Sequence, residues 1–78
     1  MPNPARTPDK ALAAVLKAVR KERGLSQEAT AQRAGITMNS YARIELGQAA
    51  ASWSTVRAIA KALDVSLVDL AARVERKR

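Results

Sequence analysis

The chain has no cysteine, no histidine and no phenylalanine, one tyrosine, one tryptophan and three glycines among 78 residues. Without cysteine there is neither a disulfide framework nor a thiolate metal site, so an intracellular, cytoplasmic protein is expected. Without histidine or cysteine the commonest general bases, nucleophiles and metal ligands are missing. The seven acidic side chains are scattered with no paired, metal-like spacing. No glycine-rich phosphate loop exists, because each glycine follows a helical run. An enzyme is therefore not expected, nor a cofactor or metal. No apolar run approaches the roughly 20 residues that span a bilayer, so no membrane partner is expected. The opening MPNPARTPDK lacks the apolar stretch of a signal peptide and reads as a flexible arm over residues 1–7.

What is present is alanine and positive charge. The apolar fraction is 47%, much of it alanine, the best helix former and a poor strand former. Fourteen Lys and Arg oppose seven Asp and Glu, a net charge of +7 that favours an anionic partner, with nucleic acid ahead of acidic lipid or protein. Seventy-eight residues make one small domain with one core.

Helical spacing dominates the pattern. Thr7 caps and Pro8 begins a first helix over residues 8–23, with Leu12, Val15, Leu16 and Val19 inward and Gly24 ending it. Ser26 caps a second helix from Gln27 to Ala34, closed by Gly35. Thr37 caps a third that ends near Leu46, with Gly47 as terminator. Ser52 or Ser54 caps a fourth, where Asp64 stands in the place of a terminal glycine. Ser66 caps a fifth, with Leu67, Leu70 and Val74 inward. The domain spans residues 8–73, and a basic tail over residues 74–78, VERKR, frays into solvent. The fold class is all-α, a compact five-helix domain.

The second and third helices meet at Gly35, which supplies the left-handed conformation of a tight turn. Ile36 plugs the gap behind it, and small Ala31 permits close approach. The stretch LSQEATAQRAGITMNSYARIELG resembles the DNA-binding domain of phage repressors and Cro proteins, the lambda-repressor-like, Xre-type helix-turn-helix family. The likeness lies in the Leu-Ser-Gln opening, the Ala31, Gly35, Ile36 turn and the Arg-Ile-Glu-x-Gly closing. AIAKALDVSLVDL is similar to the family's fourth helix and its join to the fifth.

That resemblance implies a recognition helix in the major groove, with Met38, Asn39, Ala42 and Arg43 nearest the base edges. Arg pairs with guanine O6 and N7 and Asn with adenine N6 and N7, while Met offers an apolar contact. Ser26, Gln27, Thr37, Ser40 and Gln48 are candidates for phosphate contact, which positions without specifying sequence. Ser26 and Thr37 would also be N-caps in any helical protein, and Asn39 and Arg43 could be ordinary exposed residues. Arg20 and Glu45 form a structural salt bridge in the family. Double-stranded DNA is the implied partner, bound by a homodimer on an inverted repeat, with Val65, Leu67, Val68 and Leu70 as dimer candidates. These four could instead merely close the monomer core; Val68 falls off the inward stripe and is the most diagnostic. The function implied is a sequence-specific transcriptional regulator. An antitoxin, or another member of the fold that binds a protein such as a toxin or polymerase, is the alternative.

The chain departs from the family pattern in places. Thr30 stands for a core leucine and Tyr41 for an aliphatic residue, so either the core is looser or Trp53 fills the volume. The loop after the third helix offers Gln48 and three alanines where relatives carry basic residues. Its missing charge could come from the arm, from Lys17 and Lys21, or from Arg73, Arg76, Lys77 and Arg78.

Overall fold

A computed structural model describes residues 7–78, so the arm expected over residues 1–7 lies, apart from Thr7, outside the described residues. Five helices follow one another: α1 (Lys10–Glu22), α2 (Gln27–Ala34), α3 (Met38–Glu45), α4 (Trp53–Ala62) and α5 (Leu67–Lys77). There is no strand among the described residues. α2 packs on α3 and α4, and α1 packs on α3 and α5. The core between them is Val15, Leu16, Val19, Ala31, Tyr41, Ile44, Ile59, Ala60, Leu63, Leu70 and Val74.

Every helix starts on a side-chain cap. Ser26, Thr37, Ser52 and Ser66 each accept the backbone N–H three residues on, so Ser52 rather than Ser54 opens α4. α1 starts later than expected. Its cap is Asp9, whose Oδ1 accepts the Leu12 N–H at 3.0 Å, and Thr7 and Pro8 lie outside the helix. A carboxylate at the positive end of a helix is a stronger acceptor than a hydroxyl, which favours Asp9 over the expected Thr7.

Gly35 has φ +73°, and the N–H groups of Gly35 and Ile36 return to Gln32 and Ala31. That closure turns the chain sharply into α3. Asp64 takes the same left-handed role after α4 with φ +54°, a conformation Asp tolerates better than most residues. Arg23 secures this turn from a distance. Its Nε donates to the Leu63 carbonyl at 2.9 Å and its Nη2 to the Asp64 carbonyl at 3.0 Å, capping the negative end of α4.

The C-terminal segment does not fray. α5 continues through VERKR to Lys77 because Val74 is in the core and two arginines hold the helix to α1. Arg73 meets both Glu22 oxygens, at 3.1 and 2.5 Å, and Arg78 pairs with Asp9. Trp53 does not fill the core; it is 67% exposed. The Tyr41 ring fills that volume itself, and the fully buried Thr30 satisfies its hydroxyl by donating to the Ser26 carbonyl at 2.9 Å.

Candidate nucleic-acid interface

α3 is two-sided because Tyr41, Ile44 and Glu45 fall on one helical face and Asn39 and Arg43 on the other, with Met38 in the first turn between them. The first three are buried. Asn39 and Arg43 are exposed, Met38 is 51% exposed, and Ala42 is half-buried between the faces. Four residues apart, Asn39 and Arg43 stand one above the other on the outer side. Among the described residues Arg43 has no ion-pair partner, so its guanidinium fork is available to an external acceptor.

The inner end of α3 is held by charge. Arg20 Nε lies 2.9 Å from Glu45 Oε2, and its Nη2 lies 2.7 Å from Oε1, a two-pronged pair with side chains 13% and 2% exposed. The remaining Arg20 nitrogen, Nη1, donates to the Leu25 carbonyl at 2.9 Å. Gln27 Nε2 donates to the same Glu45 Oε1 at 3.3 Å, joining the first residue of α2 to the last of α3. Burial would raise the Glu45 carboxyl, but bonding to Arg20 and its charge prevail and hold it below the ordinary value. Bonding to Glu45 raises Arg20 in turn. Burial pushes the Tyr41 phenol far up, and the nearby Glu45 carboxylate adds to the effect. Among the described residues the Tyr41 hydroxyl has no hydrogen-bond partner.

Around this bolted helix the hydroxyl and amide residues are at the surface. Thr37 Oγ1 accepts the Ser40 N–H at 3.1 Å and donates to Ser40 Oγ at 2.9 Å, so Ser40 keeps its own proton for an outside acceptor. Ser26 is exposed, and the first amides of α2 behind it have no intrahelical acceptor. Gln27 is half-buried and retains its second N–H. Gln48 is exposed, while its backbone N–H folds back to the Arg43 carbonyl at 2.9 Å. Thr37 and Ser40 thus lie at the start of α3, Ser26 and Gln27 at the start of α2, and Gln48 just past the end of α3.

The sequence matches the family described as helix-turn-helix domain over residues 11–73. The chain belongs to the helix-turn-helix domain family. This match agrees with the helix-turn-helix likeness read from the motifs. Crystal structures similar to this helix-turn-helix chain include the wild-type restriction–modification controller protein C.Esp1396I. It is 24% identical, with a TM-score of 0.83 and 87% of each chain covered. The C.Esp1396I tetramer in complex with its natural 35-base-pair operator is also 24% identical, with a TM-score of 0.83, covering 87% of this chain and 90% of that one. The clp gene regulator ClgR from C. glutamicum is 21% identical, with a TM-score of 0.81, covering 86% and 87%. No curated protein matches the sequence.

The four dimer candidates do not stay together. Leu70 is 2% exposed and belongs to the monomer core, Val65 and Leu67 are half-buried against it, and Val68 is 78% exposed. The family resemblance implies that Gln27 braces the recognition helix, and its partner there is Glu45. Sequence reasoning missed the Arg23 cap, which joins residues 40 and 41 positions apart and has no local signal. No helix among the described residues is long and apolar enough to cross a membrane.

Proposed function

We infer that this helix-turn-helix protein is a sequence-specific transcriptional regulator that lays α3 in the major groove of double-stranded DNA. The observation that carries this reading is the division of α3: Arg20, Gln27 and the core fix its inner face, while Asn39 and Arg43 stand free outside. A rigid helix offering an amide and a guanidinium one turn apart suits bidentate contacts to adenine and guanine, each worth about 1–3 kcal/mol of discrimination. Met38 reaches an apolar base edge beside them, with Ala42 allowing close approach. Ser26, Gln27, Thr37, Ser40 and Gln48 grip phosphates on either side.

One recognition helix reads few base pairs, so the working form is a homodimer on an inverted repeat, its two α3 helices about 34 Å apart. Val68, exposed on α5, centres the dimer surface, with Val65 and Leu67 at its edge. C.Esp1396I, similar in fold, is a tetramer on its operator, which supports assembly on DNA. The protein acts in the cytoplasm, where its DNA is.

Selection from a randomised duplex pool tests the reading, followed by salt titration of the winner and a scrambled control. Enrichment of an inverted repeat that survives added salt better than the control is the expected result. No enrichment, with both duplexes weakening in parallel, would mean that phosphate contacts supply nearly all the binding, and would overturn it.

A further inference from the structure

The corner where α3 ends has no charge of its own. From Leu46 to Val56 the chain carries no acidic or basic residue, although this loop adjoins the helix that carries Arg43. Arg73 and Arg78 do not serve it freely, since Arg73 is bound to Glu22 and Arg78 to Asp9. Lys10, the first residue of α1, lies against this corner. A Cβ at Gly47 would be 3.4 Å from Lys10 Cγ and 3.9 Å from Lys10 Cα, so the lysine stem crosses the exit turn of α3. Lys10 is exposed and has no ion-pair partner among the described residues. The turn is itself well fixed, with the Gln48 and Ala49 N–H groups both returning to the Arg43 carbonyl at 2.9 and 3.2 Å. The exit turn thus links Lys10, through Gly47 and Gln48, to the end of the helix that carries Arg43.

The geometry points to a phosphate grip at this corner, in which the Lys10 ammonium, beside the Gln48 amide, binds the DNA backbone flanking the bases that α3 reads. This deepens the DNA-binding reading and rests on it. Lys10 supplies from α1 the cation that the alanine loop lacks. A lysine is suited to the task because a point charge on a flexible stem follows a phosphate without demanding the planar fit of an arginine. Gly47 has no side chain to lift the lysine stem off the turn, and its φ of +73° keeps the position for glycine. The contact positions the protein on the duplex and carries no base information.

The test is the salt dependence of binding for Lys10→Gln, Lys10→Arg and Lys61→Gln, measured on the selected duplex and on a scrambled one. Lys61, exposed near the end of α4, has no ion-pair partner among the described residues and controls for the loss of one unit of net charge. Losing one phosphate contact lowers the slope of log K against log salt by about 0.9 and weakens binding about tenfold at 50 mM salt. Lys10→Gln is expected to do this equally on both duplexes, whereas Lys10→Arg and Lys61→Gln keep the wild-type slope. Thermal melts of all three variants separate lost contact from lost folding. An unchanged slope for Lys10→Gln, or the same loss for Lys61→Gln, overturns the grip. Failure of the regulator reading is distinct: wild-type protein would then prefer neither duplex, whatever Lys10 does.

Discussion

At the scale of single residues, the fold depends on a few polar groups placed where water cannot reach them. Glu45 faces Arg20 and Gln27 at the joint of α1, α2 and α3. Glu45→Ala leaves the Arg20 guanidinium without its counter-charge. The expected cost is about 3 kcal/mol, the low end for a broken buried pair, because Arg20 keeps an edge in solvent. In a domain of this size that is a fall in Tm of about 15 °C, measurable by circular dichroism. The same pair sets the response to acid. The folded Glu45 carboxyl is held below its unfolded value, so its contribution is fully present above about pH 4.5 and is lost as pH falls through the folded value. Asp9, lowered by the Leu12 N–H, and Glu22, lowered by Arg73, act in the same direction. Tm should be level between pH 8 and about 5.5 and fall below about 4.5; a Tm that stays level down to pH 3 would refute the account. Tyr41 gives the opposite sign. Its hydroxyl is buried without a partner among the described residues, so Tyr41→Phe removes an unsatisfied group while keeping the ring. Its Tm should equal or exceed the wild-type value, and a loss of more than about 1 kcal/mol would reveal a hydrogen bond to that hydroxyl.

At the scale of elements, turns and caps determine how the helices meet. Gly35 has open space around its Cβ position, so Gly35→Ala has only a conformational cost, about 1 kcal/mol for an alanine at positive φ. Urea unfolding should give that loss with an unchanged m-value. A neutral substitution would mean that the turn between α2 and α3 can relax. These local devices are what made the fold readable. Ser26, Thr37, Ser52 and Ser66 announce helix starts three residues ahead of the amides they bind, and Gly35 and Gly47 announce ends. The start of α1 lies two residues later than Thr7 and Pro8 imply, because the Asp9 carboxylate and not the Thr7 hydroxyl caps the helix. The end of α5 was misread because a run of charge looks solvated, while its fate depends on Glu22 and Asp9, far away in sequence. The outer residues of α3 were legible from a sequence likeness. The Lys10 corner depends on a contact between the start of α1 and the end of α3, which no periodicity encodes.

At the scale of the whole molecule, the proposed regulator would have to stay folded and also pair with a second copy. Val68 and Leu70 separate these duties. Val68→Asp places a carboxylate in the first turn of α5, where it favours the helix, on a side chain already in solvent. The monomer's Tm should hold while the mass in sedimentation falls from dimer to monomer; an unchanged mass would move the dimer surface elsewhere. Leu70→Asp, by contrast, should unfold the chain, because that side chain is in the core. On the proposed reading, the positive charge of +7 would draw the protein to DNA and α3 would determine where on the DNA it remains. The measurement that tests this most directly is binding of Asn39→Ala and Arg43→Ala to every single-base-pair variant of the selected site. Each variant is expected to lose its preference at one position per half-site, by about 10- to 100-fold, and to keep it elsewhere. A uniform weakening at all positions would contradict the account, because α3 would then be holding the backbone without reading the bases.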